Sequence, residues 1–257
     1  ASNELKTKFG TMNIKNNNGM DLLHIACENN NIAIVDYLCN VISYSMESDN
    51  EGERPLHVAS YYGSNDLVKV LIGDYEGAMW NILDEYTQEN RIHWTPLHMA
   101  IIANNVEVAL TIISYIKTFY SLLNITDING YTCLNLACKN GLSDVVRELI
   151  LIGADVHICG CNNDNPILNS VKNQDYEIVE LLLSKGADAN STNGHRETPL
   201  QIALKNKDKK MKELLLQYGA IIEGVEHYIY SPNPCSTKYP YFIDSNYFDE
   251  LDEYKYK

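Results

Sequence analysis

The stretch DINGYTCLNLACKNGLSDVVRELILIGADV, residues 127–156, reads as one complete supersecondary unit. Asp127, Ile128, Asn129 and Gly130 have turn chemistry, with Gly130 free to take a positive φ. Thr132 is placed to cap a helix whose apolar side is Leu134, Leu136 and Ala137, and Gly141 ends that helix. Val145, Val146, Leu149 and Ile150 follow at helical spacing, and a second helix closes at Gly153, Ala154 and Asp155. Two helices this short have little to bury against each other, so the unit needs a similar one on either side.

The chain supplies those neighbours. The small residue at the end of the motif recurs at Ala26, Ala59, Ala100, Ala137, Ser170 and Ala203, at intervals of 33, 41, 37, 33 and 33. Nine residues past each stands Val35, Val68, Ala109, Val146, Val179 or Lys212. Three beyond that come the pairs Leu38-Cys39, Leu71-Ile72, Ile112-Ile113, Leu149-Ile150, Leu182-Leu183 and Leu215-Leu216. The motif is fullest at Pro55-Leu56-His57-Val58-Ala59, Thr95-Pro96-Leu97-His98-Met99-Ala100 and Thr198-Pro199-Leu200-Gln201-Ile202-Ala203. Weaker versions stand at Leu22-Leu23-His24-Ile25-Ala26, Thr132-Cys133-Leu134-Asn135-Leu136-Ala137 and Pro166-Ile167-Leu168-Asn169-Ser170.

Over about residues 15–222 this pattern resembles the ankyrin repeat, whose signature is Thr-Pro-Leu-His-x-Ala at a period of 33. The resemblance implies an all-α solenoid of six repeats, each a pair of antiparallel helices, with β-hairpin connections. Residues 1–18 are expected to be a lead-in that helps cover the first repeat, and 19–222 the repeat domain. Insertions lie near 73–91 and 114–126, and a tyrosine-rich acidic tail occupies 223–257. The first insertion is acidic and aromatic, including Trp80 and Ile82, and is expected to lengthen a hairpin into a finger. The second continues an apolar helical pattern through Ile116, Phe119, Tyr120 and Leu123, which predicts a longer outer helix.

A chain of 257 residues that is 45% hydrophobic can build a good core, and the periodicity makes that core elongated. Seven cysteines are scattered through it, an odd number that suits reduced thiols in a cytosol-like compartment, although Ala1 is not an initiator Met. No apolar run approaches membrane-spanning length, so a soluble monomer without membrane insertion is expected. The net charge of −14 argues against nucleic acid, whose phosphates reward Lys and Arg. A protein partner with a basic surface or segment is the better match. The setting expected is cytoplasmic or nuclear, or a host cytosol if the source is a pathogen.

No phosphate-binding loop, nucleophile elbow or His-Glu-x-x-His motif is present, and no cofactor or metal is implied. His24, His57 and His98 share one repeat position, and in the family that His is a structural hydrogen-bonding residue linking a helix start to the neighbouring hairpin. Cys133, Cys138, Cys159 and Cys161 lack the paired spacing of a structural zinc site and read as free thiols. Leu182, Asp188, Ala189 and Asn190 are similar to the sequence recognised by the asparaginyl hydroxylase of ankyrin hairpins, which makes Asn190 a modification candidate. The alternative is that Asn190 caps its own hairpin.

The resemblance also supplies a binding surface, the concave side formed by hairpin tips and the exposed face of the inner helices. Carried onto this chain it implies partner contacts from Glu51, Glu53, Tyr61, Tyr62, Arg91, Ile92, Trp94, Ile102, Tyr131 and Lys139. Tyr61, Tyr62, Trp94 and Tyr131 would then be aromatic anchors on adjacent units, with Glu51 and Glu53 as an acidic rim. The expected function is a non-enzymatic protein-interaction scaffold. The open alternatives are a targeting or adaptor module for an enzyme or ubiquitin-ligase machinery, and a pathogen effector or inhibitor of a host protein.

Overall fold

Five of the six units start where a polar side chain takes up the first free N–H groups of a helix, while in the second the Arg54 N–H donates instead to His57 Nδ1 at 3.1 Å. Asp21, Thr95, Thr132, Asn165 and Thr198 do so for inner helices, and Asn31, Asn105, Asp175 and Asp208 for outer ones. Pro55, Pro96, Pro166 and Pro199 stand in the first turn, where a missing N–H costs nothing. The structure, a computed structural model, describes residues 14–42, 47–73, 94–117 and 123–221. The insertion expected to form a finger, with Arg91 and Ile92, lies outside the described residues, as do residues 1–13 and the segment from residue 222.

Among the described residues there are twelve α-helices in six pairs. They are α1 (Leu22–Glu28) with α2 (Ile32–Asp36, continued by a π-helical turn, Tyr37–Ile42), and α3 (Pro55–Tyr62) with α4 (Asn65–Gly73). Next come α5 (Pro96–Ile102) with α6 (Val106–Ile116), and α7 (Cys133–Asn140) with α8 (Ser143–Leu151). The last are α9 (Pro166–Lys172) with α10 (Tyr176–Ser184), and α11 (Pro199–Lys205) with α12 (Lys209–Gln217). The odd-numbered helices pack in one row and the even-numbered ones in a second, and one elongated apolar core runs between the rows.

In five of the six pairs the turn between the helices uses a left-handed residue, while Gly63 in the second is extended at φ −81°. Gly141 is left-handed at φ 70°, as its place in the sequence predicts, but Asn30, Asn104, Gln174 and Lys207 take the same place in other units at φ 49° to 57°. An L side chain is strained there. Gln174→Gly is therefore expected to stabilise the chain by about 1 kcal/mol, read as a higher urea midpoint at unchanged slope. A lower midpoint would overturn that account.

The connections between units are tight turns more than ladders. Main-chain bonds close them from Asn16 N–H to Met20, Asp49 to Glu53, Asp127 to Tyr131, Gly160 to Asp164 and Asn193 to Glu197, at 2.8–3.2 Å. In four of these the first side chain also accepts two N–H groups of its own turn. Among the described residues, one antiparallel bridge, Thr126 to Thr132, represents the expected β-hairpins. Gly130 has the expected positive φ, 78°. Of the pattern expected to lengthen the outer helix, Phe119 and Tyr120 lie outside the described residues. α6 has 11 residues and stops at Ile116, while Leu123 enters the core from a turn.

Candidate functional site

The tips of the turns and the last turns of the inner helices place one residue per unit in each of two columns. In the helix column stand Glu28, Tyr61, Ile102, Lys139, Lys172 and Lys205, and in the tip column Met20, Glu53, Trp94, Tyr131, Asp164 and Glu197. Charge in the helix column thus passes from acidic through apolar to basic along the stack.

Tyr61 and Ile102 are half-buried, and Tyr62 is 37% exposed. The two tyrosine rings meet edge to face, 4.7 Å between centroids. Burial, together with Tyr61, Glu28 and Glu53 nearby, pushes the Tyr62 hydroxyl up to about 12, so it stays a neutral donor. Glu51 is exposed at its tip.

Three expected contact residues are not exposed. Trp94 is 8% exposed, and its indole Nε1–H donates to Asp127 Oδ2 at 3.4 Å. Tyr131 is 3% exposed, and its hydroxyl donates to Asp164 Oδ2 at 3.3 Å. Each ring thus reaches the carboxylate 33 residues ahead, and repeating carboxylates at that distance were the available sequence signal. The Tyr131 ring also fills the space at Gly160, where an added Cβ would meet it at 2.3 Å. Glu53 is buried too, its carbonyl accepting from His24 Nε2 at 2.9 Å. The picture of four anchors on adjacent units is corrected to a pair, Tyr61 and Tyr62, because the other two rings are spent on packing one tip against the next.

Lys139 lies 5.0 Å from the Tyr131 ring centre and 3.7 Å from Asp164, and burial outweighs that carboxylate to lower its pKa. Lys172 reaches the other Asp164 oxygen at 3.8 Å, and Lys205 pairs with Glu197. Asn140 and Asn173 donate back to carbonyls of the preceding inner helix, Ile101 at 3.0 Å and Cys138 at 2.7 Å. They staple units together, a role their repeated position did not disclose.

The histidine row links each helix start to the next tip. Nε2 of His24, His57 and His98 lies 2.9, 3.0 and 3.3 Å from the carbonyls of Glu53, Trp94 and Tyr131. Burial lowers His57 and His98 to about 4, so both stay neutral at physiological pH. Burial also pushes the Cys39 thiol up to about 11 and Cys138 to about 12, and raises Cys27 and Cys133, the opposite of an activated nucleophile. Among the described residues, no three His, Cys, Asp or Glu side chains are grouped to hold a metal ion, and no helix is long and apolar enough to cross a membrane. Asn190 bridges two units, its Nδ2 donating to Gly219 at 3.1 Å and its Oδ1 accepting from Ile221 N–H at 2.9 Å.

Comparison with known proteins places these features in a family. The family model described as "Ankyrin repeats (3 copies)" matches residues 3–84, 78–158 and 134–225. Among curated relatives, the "Probable 26S proteasome regulatory subunit p28" of Saccharomyces cerevisiae is 30% identical over 146 residues, which is 56% of this chain and 61% of that protein. NF-kappa-B inhibitor alpha of Rattus norvegicus is 26% identical over 151 residues, 44% of this chain and 46% of that protein. The chain therefore spans about half of the length of these relatives, or a little more. Among solved structures, the ankyrin repeat domain of Bcl-3 superposes with a TM-score of 0.65 at 22% identity, covering 84% of this chain and 90% of that one. An ankyrin repeat domain from Acinetobacter baumannii AYE gives 0.62 at 22% identity, covering 77% and 98%.

Proposed function

The chain belongs to the ankyrin-repeat family, a protein-interaction module, and we propose that it acts as a non-enzymatic scaffold holding one protein partner on its concave side. The observation that carries this reading is the patch of Tyr61, Tyr62 and Ile102 on neighbouring inner helices, with Glu28 in the same column and Glu51 at a tip. Partly exposed tyrosines among carboxylates have the composition of an interface core with an acidic rim. The partner that fits has a basic surface or segment, in keeping with the net charge of −14. A stack whose side chains are already held by neighbouring units loses little entropy on binding. In the later units Lys139, Lys172 and Lys205 have Asp164 and Glu197 beside them, which offsets their charge within the chain.

A second reading is an adaptor or targeting subunit of a larger degradation assembly. The similarity to the yeast proteasome regulatory subunit favours it. The similarity to NF-kappa-B inhibitor alpha favours a more specific form of the first reading, an inhibitor that acts by binding. Hydroxylation of Asn190 rests on its sequence context, and both ends of its amide are engaged.

Affinity capture from a eukaryotic lysate tests these readings, with the chain compared to a Tyr61→Ala, Tyr62→Ala variant of unchanged circular dichroism. Trp94 and Tyr131 are left intact because they hold the tips. The expected result is a basic protein retained by the first bait and bound at least about tenfold more weakly by the second. Equal recovery of the same partners by both baits would overturn the concave-face reading, and proteasome subunits on both would favour the adaptor.

A further inference from the structure

The last repeat departs from the others at the face it turns away from the stack. The position after the small residue is Cys27, Ser60, Ile101, Cys138 and Val171 in the first five units, at most 2% exposed in each, because the next unit covers it. In the sixth it is Leu204, and it is 48% exposed. The position that carries buried Val35, Val68, Ala109, Val146 and Val179 carries Lys212, which is half-buried. The histidine position, buried in every earlier unit, carries Gln201, which is exposed.

These changes decide what can cover the end. A seventh unit docked in register would trap the Lys212 ammonium where each earlier junction has an aliphatic side chain or alanine, and burying an unpaired charge is strongly unfavourable. Leu204 and the half-buried Leu216 call for apolar cover, and Lys212 calls for a carboxylate. Lys207 and Lys209 in the same unit add to the positive field.

We propose that residues 222–257 of the same chain fold back over this face, setting aromatic side chains on Leu204 and Leu216 and carboxylates near Lys212. The segment continues directly from Ile221, which is 59% exposed at the end of the last unit. It is 36 residues long and carries seven tyrosines and two phenylalanines, with seven carboxylates against three lysines. It matches the face in both apolar character and sign of charge, independently of what the concave side binds.

Zero-length carboxyl-to-amine cross-linking of the full chain, using a mixture of isotopically labelled and unlabelled protein, tests this. Links are expected between carboxylates of residues 222–257 and Lys209 or Lys212, joining peptides of the same label, with slowed amide exchange in the tail. Leu204→Glu is expected to abolish the links and the slowed exchange while α7 to α10 keep theirs. Lys212→Glu, at a position already partly open, should weaken them without touching the apolar contact. Links joining labelled to unlabelled peptides would assign the face to a second copy and overturn the proposal. So would tail amides that exchange at the unprotected rate, or links that survive Leu204→Glu unchanged.

Discussion

Asp21→Ala is expected to lower stability by about 3 kcal/mol, whereas Asp21→Thr lowers it much less and removes a dependence on pH. His24 Nδ1 lies 2.8 Å from Asp21 Oδ1, and Nε2 lies 2.9 Å from the Glu53 carbonyl. An ionised Asp21 and the Glu53 carbonyl are both acceptors, so this arrangement favours the protonated ring, with both nitrogens donating. In the third unit Thr95 stands in the place of Asp21, and its N–H donates to His98 Nδ1 at 3.2 Å. That leaves His98 neutral, with Nε2–H directed to Tyr131. Burial acts to lower the His24 pKa, but the Asp21 bond, the Glu53 carbonyl and the charges of Asp21 and Asp49 prevail and raise it. Asp21 is likewise held below its ordinary value by His24 and the Leu23 N–H, although burial works against this.

The signs follow from linkage. A histidine with a raised folded pKa contributes fully below its unfolded value of about 6.5 and loses that contribution as pH rises through the folded pKa. Asp21 contributes fully above about 3.9 and loses its contribution as pH falls through its own folded pKa. The pair is therefore strongest in mild acid and weakens in alkali. Urea unfolding on either side of neutrality should show a parent chain that loses stability with rising pH faster than Asp21→Thr. Equal pH slopes for the two proteins would mean His24 is not held as the cation.

Gly160→Ala is expected to cost about 3 kcal/mol as well, by displacing a ring. The added Cβ would sit 2.3, 2.4 and 2.9 Å from Cδ1, Cε1 and Cγ of Tyr131, closer than carbon atoms approach. The ring would have to move out and release its bond to Asp164. A double-mutant cycle identifies the cause: in a Tyr131→Ala background the same change should cost little, because the space is then open. An equal cost in both backgrounds would place the strain in the backbone of the tip. The result bears on recognition, since a ring wedged against Gly160 cannot also anchor a partner.

The fold was legible in the residues because each unit repeats its own local chemistry. Caps such as Thr132 and Asn165, prolines in the first helical turn, left-handed Gly141 and the apolar pairs of the outer helices act over a few residues, and their recurrence near every 33 residues specifies a stack. The aromatic character of the early units could be read in the same way, and the structural part played by the histidines was implied by the resemblance to the family. Exposure could not, because it depends on what the neighbouring unit offers at the point of contact. Tyr62 stays partly open, while Trp94 and Tyr131 close over Asp127 and over Gly160 with Asp164. Leu204 is 48% exposed among the described residues, at a register that buries Val171 one unit earlier, for no reason within its own repeat. Local sequence determines where each side chain leaves its helix, and the packing of one unit on the next decides whether that side chain meets water or protein.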